Sequence, residues 1–211
     1  MKFYKETNLK ETEIGKIPKD WKIVELKEVT ERITDNMTKE KIKASPKKEY
    51  VLYSIPAYHA QQKPELIKSE KIGSTKFFVK FGDVLFGRIN PKVPKVWLVK
   101  HDFALASTEF IVLRPNKNKS VSGFVYYLLQ TNRIFKLSIA MGKGAVPSRL
   151  RTDIRSFMRI KIPLPSLSEQ KKVAEVLSCV DLAIEKVDKA IARAERLKKG
   201  LMQHLLTKGI G

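Results

Sequence analysis

Ile162-Pro163-Leu164-Pro165-Ser166-Leu167-Ser168-Glu169-Gln170 opens the longest regular pattern in this sequence. Pro163 and Pro165 lack the amide proton that an earlier helix start would need, and Ser166-x-x-Glu169 has the form of a capping box. Apolar residues then fall at Val173, Leu177, Val180, Ile184, Val187, Ile191 and Ala194, in alternating steps of four and three. That is a heptad seam. It drifts into a broader stripe through Leu197, Leu201 and Leu205, and Gly209 after Lys208 marks the stop. About 40 residues at helical rise make a rod of roughly 60 Å. A rod this long cannot bury its seam against one small domain. Pairing with another long helix is therefore expected, in preference to docking along its own domain. Gly200 lies inside the pattern at a cost of about 1 kcal/mol, so a bend or a close helix contact is expected there.

Upstream of this helix the pattern is mixed. Short runs rich in Val, Ile and aromatics predict strands at Tyr50–Ile55, Lys76–Val79, Asp83–Ile89, Val96–Val99, Phe110–Arg114 and Arg159–Ile162. Phe124–Thr131 predicts a helix capped by Ser122, and Asn132–Ala140 a continuation or a second short helix. Lys43–Lys48 is expected to be loop. The reading is an α+β chain, with one globular domain over residues 1–165 and one long helix over 166–211.

Lys and Arg number 42 against 22 Asp and Glu, a formal net charge of +20 on 211 residues. The excess is spread from Lys2 to Lys208, so it describes a folded body with basic faces rather than a basic arm. A densely anionic partner is implied, a nucleic acid or an anionic membrane. Cys179 is the only cysteine, which excludes an internal disulfide and a cysteine-rich zinc site. His59, His101 and His204 have no metal-ligand spacing. The first residues show no apolar signal core, and no run is long enough to cross a membrane; a cytoplasmic protein is expected.

Enzyme motifs fail on inspection. Gly82 to Ile89 has P-loop glycine spacing, but Arg88-Ile89 stands where Lys and a hydroxyl residue would be needed. Gly142-x-Gly144 runs into Pro147, so the dinucleotide fingerprint breaks. Asp20 with Glu25-x-Lys27 has a nuclease-like carboxylate–lysine set, of a kind that arises by chance in a chain rich in Lys and Glu. There is no Gly-x-Ser-x-Gly elbow and no Asp/Asn-Pro-Pro-aromatic motif.

Binding to duplex DNA needs cations for phosphates and planar hydrogen-bonding side chains for base edges. Three clusters offer both. The first is Tyr58-His59-Ala60-Gln61-Gln62-Lys63, expected as a loop after a strand; it is otherwise a solvated polar loop. The second runs from Gly87 to Lys95, where Arg88, Asn90, Lys92 and Lys95 sit in a proline-stiffened loop; it is otherwise a basic solubility loop. The third runs from Gly142 to Arg151, with Lys143, Ser148, Arg149 and Arg151 beside glycines that allow close approach to phosphate; it is otherwise a linker. Ser107-Thr108-Glu109 could also bond bases, with Glu109 equally placed to be a structural acceptor. Phe77, Phe78, Phe81 and Phe86 read as core.

Taken together, these residues resemble the specificity subunit of type I restriction–modification enzymes, in a half-length form. The opening Thr12-Glu13-Ile14-Gly15-Lys16-Ile17-Pro18-Lys19-Asp20-Trp21, with Leu26-Lys27-Glu28-Val29, looks like the start of a target-recognition domain. Gly82-Asp83-Val84-Leu85-Phe86 and Ser107-Thr108-Glu109-Phe110 look like its inner strands. The stretch from Ile162 to Gln170, followed by Val173-Ala174-Glu175-Val176-Leu177 and Val180-Asp181, resembles the lead into the family's spacer helix, and Lys199-Gly200-Leu201-Met202 its end.

The resemblance implies a curved, mostly antiparallel sheet with short helices that reads one half of a split DNA sequence. It implies long helices pairing antiparallel as a ruler. It also implies no catalytic centre in this chain: S-adenosylmethionine, ATP and magnesium would serve the modification and restriction subunits it recruits. A usual member carries two recognition domains and two spacer helices, whereas this sequence has one of each. A natural half-subunit or a truncated product is expected, and the unpaired seam predicts a homodimer through Val173, Leu177, Val180, Ile184, Val187, Ile191, Leu197 and Leu201. The alternative is a solitary interaction module without useful DNA affinity. A self-sufficient nuclease or methyltransferase has no site to support it.

Overall fold

A computed structural model describes residues 8–144, 146 and 150–210. Its centre is a four-stranded antiparallel sheet in the order Val96–Leu98, Val84–Gly87, Phe110–Pro115, Thr30–Ile33. The two middle strands are apolar at successive positions rather than alternate ones, because both faces of the sheet are covered. Val84, Phe86, Ile111 and Leu113 point to one side, where Val125, Leu129, Ile134 and Phe157 of three short helices pack on them. Leu85, Phe110 and Val112 point to the other. There they meet Tyr53, Val79, Ala104 and Ala106 from a second, five-stranded sheet. Adjacent residues of a strand face opposite ways, so a strand buried on both faces loses the polar half of its pattern.

The second sheet runs Asn36–Met37, Lys76–Val79, Ala104–Ser107, Glu49–Tyr53, Glu65–Lys68. Its pairs are antiparallel except Leu105 with Leu52 and Ala106 with Tyr53, which are parallel. Its outer face buries Tyr50, Leu52 and Leu105 against Ile42 and Ile72. Asp83 leaves the sheet to hold Arg114 through a two-point contact, both bonds at 2.8 Å, and its own carboxylate is buried.

Several expected boundaries move for identifiable reasons. The strand expected to Ile55 stops at Tyr53, because the Ser54 hydroxyl accepts from the Ala57 amide and starts a helix over Ile55–Gln61. The segment expected as loop from Lys43 begins inside the Lys39–Ala44 helix, capped by Thr38. Phe81, expected in the core, is 69% exposed at a turn. The final strand begins at Lys161 and ends at Leu164, because Arg159 and Ile160 close the preceding Ile154–Met158 helix. The helix expected from Phe124 starts at Ser122, so Ser122 lies inside it and Val121 takes the cap position.

The Leu167–Lys208 helix is continuous, and Ser166 caps it by accepting from the Glu169 amide. It continues unbroken through Gly200, where no atom of the chain's described residues comes within 4 Å of the place a Cβ would take, so the bend expected there is absent. Among the described residues, its hydrogen bonds to the globular part fall between Glu169 and Asp181. Gly123 of the Ser122–Leu129 helix meets Ala174 so closely that a Cβ on Gly123 would lie 2.9 Å from the alanine methyl. Gln170 is fully buried in that joint. Tyr127 donates to Asp181 at 2.7 Å, and Trp21 donates to Glu169 at 3.0 Å. The strand pair Lys22–Glu25 with Lys161–Leu164 ties the start of the globular part to the segment that leads into the helix. Beyond Asp181 the apolar seam stands in solvent. Ile184, Val187 and Ile191 are each more than half exposed. No helix among the described residues is long and apolar enough to cross a membrane.

Candidate nucleic-acid interface

Two of the three basic clusters meet in space, at one end of the four-stranded sheet. The Val84–Gly87 strand leads into the proline-stiffened loop, which returns as Val96–Leu98. Lys95 closes that loop from within. Its side chain folds under it and its ammonium donates to the carbonyls of Asn90 at 3.0 Å and Val93 at 2.6 Å. Gly87 leaves room for it; a Cβ there would lie 2.8 Å from the Cβ of Lys95. Lys95 is therefore corrected from a DNA-contacting cation to a buried brace, 1% exposed, and burial pushes its ammonium below the ordinary lysine value. The same brace holds Asn90 in a left-handed conformation at φ 46°. The Asn90 carbonyl also accepts from the Val93 amide at 3.2 Å, so the inward lysine adds a second donor there and supplies one to the Val93 carbonyl.

The third cluster is stitched onto this loop by main-chain bonds. Asn90 donates to Leu150 at 2.8 Å, and Thr152 donates to Arg88 at 2.9 Å. Ile89 and Arg151 form a bridge, and Gly142–Lys143 pairs with Arg151–Thr152. Arg88, Asn90, Lys92, Lys143 and Arg151 thus share one backbone framework. Lys92 and Lys143 are exposed, and Arg88, Asn90 and Arg151 are partly so. Ser148 and Arg149 lie outside the described residues.

Two carboxylates sit among these cations, Glu109 on Arg151 and Asp153 on Lys143. Glu109 grips Arg151 in a fork, with the guanidinium Nε at 3.0 Å from Oε2 and Nη2 at 2.8 Å from Oε1. Arg151, and behind it the charge of Arg88, hold the Glu109 carboxyl below the usual range. Arg88 donates its amide to the Glu109 carbonyl, while its side-chain Nε is buried with no hydrogen-bond partner among the described residues. The pairing of Glu109 with Arg151 spans 42 residues of sequence, with no local signal to reveal it.

Lys143 donates to Asp153 at 3.1 Å. Asp153 caps the Ile154–Met158 helix by accepting from the Ser156 amide and hydroxyl. Those Ser156 bonds, then Lys143, hold the Asp153 carboxyl down to about 2. A carboxyl depressed in the folded state stabilises it above the ordinary aspartate range, and that contribution is lost as pH falls through about 2. An NMR titration of Asp153 is expected to show its midpoint near there, and Asp153→Asn to flatten the fall in stability across that window. A midpoint near 4 would show that the cap and Lys143 do not hold it.

The first cluster lies elsewhere. His59 is carried on the Ile55–Gln61 helix rather than on a loop. Pro56 in the first turn and the Ser54 cap favour that helix. Gln62 ends it in a left-handed conformation at φ 49°, and Lys63 follows, both exposed. Tyr58 packs edge-on against Trp97. Glu185 on the long helix is held low mainly by Lys189, with Lys63 and Lys100 adding to the effect. Lys63 is thus the residue of this cluster whose charge reaches the long helix, and among the described residues no hydrogen bond or ion pair joins the cluster to the Arg88–Arg151 framework.

No group of three or more His, Cys, Asp or Glu among the described residues could hold a metal ion. The concentration of cations, hydrogen-bonding side chains and glycines at one sheet end suits an anionic, hydrogen-bonding partner.

The chain is similar to proteins of one family over most of its length. The family described as Type I restriction modification DNA specificity domain matches residues 18–196. A Methanocaldococcus jannaschii protein provisionally named as the MjaX type I restriction enzyme specificity subunit is 34% identical over all of this chain and 51% of its own length. The same organism's type I restriction enzyme MjaVIII specificity subunit is 32% identical over all of this chain and 47% of its own. The crystal structure of the HsdS subunit from Thermoanaerobacter tengcongensis superposes with a TM-score of 0.64 at 25% identity, covering 91% of this chain and 50% of that one. The chain thus spans about half the length of the curated relatives it matches. Matched by the family over most of its length, and by such relatives over all of it, the chain belongs to the type I restriction modification DNA specificity domain family.

Proposed function

We propose that this chain is a non-catalytic DNA-recognition subunit of a type I restriction–modification assembly. Residues 1–165 read one half of a split duplex sequence, and 166–211 form the spacer helix. The observation that carries this reading is the union of two sequence-distant basic clusters, Arg88–Asn90–Lys92 and Lys143–Arg151, on one braced framework. Loops held by main-chain bonds present their donors at little ordering cost. The names of the relatives, all specificity subunits, support the role.

The exposed seam from Leu177 to Leu201 supports antiparallel pairing of two spacer helices. In a homodimer the two recognition domains would read a palindromic split site. Modification and restriction subunits dock on this scaffold and bring S-adenosylmethionine, ATP and magnesium with them. The joint around Trp21, Glu169 and Asp181 is the surface we assign to the modification subunit.

The test is enrichment from a randomised duplex library by the full chain, alone and with its modification subunit. A split motif is expected. Arg88→Ala is expected to weaken binding to the enriched duplex by about 1–3 kcal/mol. A chain that enriches no sequence under either condition would leave a solitary interaction module instead.

A further inference from the structure

We propose that Arg151, aimed by Glu109, reads a guanine. The inference rests on the DNA-reading function and names the base that one part of the site takes.

A carboxylate is a poor neighbour for a phosphate clamp. The chain carries a net charge of +20, which favours attraction to a polyanion. Glu109 works against it, cancelling one cation and repelling phosphate at close range. Its presence makes sense where the direction of a guanidinium matters more than its charge.

The geometry supplies that direction. Glu109 occupies the Nε edge of the guanidinium, through Nε at 3.0 Å and Nη2 at 2.8 Å. A guanidinium has five N–H donors. Glu109 engages two of them, and no bond among the described residues takes the other three, both protons of Nη1 and one of Nη2. The Nη2 proton and the Nη1 proton beside it form the far end of the fork, and that end matches two adjacent acceptors such as guanine O6 and N7. The side chain is 41% exposed, so the free end is reachable.

Both ends of the pair are fixed. Glu109 lies between the Ala104–Ser107 and Phe110–Pro115 strands, and its amide donates to the Ser107 hydroxyl. Arg151 is bridged to Ile89 on one side and paired in the Gly142–Lys143 ribbon on the other. A donor fork held by a carboxylate on a stitched backbone loses little freedom on binding. Glu109 is then a positioning residue, and Arg151 the one that touches the base.

Arg151→Ala, Arg151→Lys and Glu109→Gln distinguish a base contact from a phosphate contact. Each full-length variant is passed through the same randomised duplex library, with thermal unfolding checked alongside. Wild type is expected to enrich a motif holding a guanine that Arg151→Ala no longer selects. Discrimination at that one position should fall roughly tenfold to a hundredfold. Arg151→Lys keeps the charge but not the fork, so it is expected to keep the affinity and salt dependence and lose the same preference. Glu109→Gln is expected to blur that position and no other. A motif unchanged in Arg151→Lys would overturn the inference. So would uniform weakening across all sequences with a shallower salt dependence, which marks a phosphate contact. A wild-type chain that enriches nothing, with or without the modification subunit, would overturn the DNA-reading function itself and this inference with it.

Discussion

The Ile184→Asp, Ile191→Asp double variant is expected to scatter light as one chain at micromolar concentrations where the wild type scatters as two. Both isoleucines lie on the seam and are 54% and 52% exposed in the single chain. About half of each side chain is therefore left to be covered by a partner, worth roughly 1 kcal/mol per residue. A two-fold dimer contains four such sites, so about 4 kcal/mol of apolar burial is lost. That alone weakens association by close to three decades. Four carboxylates stripped of water, or facing one another across the seam, add to the loss. The wild type should pair more tightly at high salt, because two bodies of net charge +20 repel. A double variant that still scatters as two chains would exclude pairing through this seam. A wild type that scatters as one at every salt concentration would refute the homodimer, and the seam would then belong to another partner's helix.

The long helix is legible in the sequence because its signals are local and redundant. Two prolines, a cap, a seven-residue repeat and a terminal glycine all fall where the structure starts and stops it. The middle strands are legible from apolar runs, although their ends are not. Ser54 leaves its strand to cap the helix that starts right after it, and Asp83 leaves one to hold an arginine 31 residues away.

The interface is half legible. Composition and loop residues point to Arg88 and Arg151, which the structure joins. Lys95 looks the same as Lys92 in sequence. Only the inward turn of its side chain, under a loop whose carbonyls need donors, separates the brace from the surface cation. The polar residues at 58–63 read as a loop because Ser54-Ile55-Pro56 fits the tail of a strand as well as it fits a helix start. Glu109 is recognisable as an acceptor but not as the partner of Arg151, since nothing in a sequence links residues 42 apart that meet across a bridge.

Gln170→Leu is expected to cost about 3 kcal/mol of stability, although leucine fills nearly the same volume. Gln170 is fully buried, and its amide is the hub of the joint. Its Oε1 accepts from the Val121 amide at 3.0 Å, and its Nε2 donates to the carbonyls of Lys119 at 3.1 Å and Pro165 at 3.0 Å. Three main-chain groups from two segments lose their partner at once, at about 1 kcal/mol or more each. For a chain of this size that lowers Tm by roughly 6–12 °C, read from thermal unfolding. Tyr127→Phe is the contrasting case. Its bond to Asp181 is exposed and single, so less than about 1 kcal/mol is expected to go. The difference bears on the proposed ruler. A spacer helix measures distance only if its angle to the recognition domain is fixed. In this joint the fixing falls to a buried amide and to the close approach of Gly123 and Ala174, rather than to surface bonds. An unchanged Tm in Gln170→Leu would move that role to the glycine–alanine contact alone.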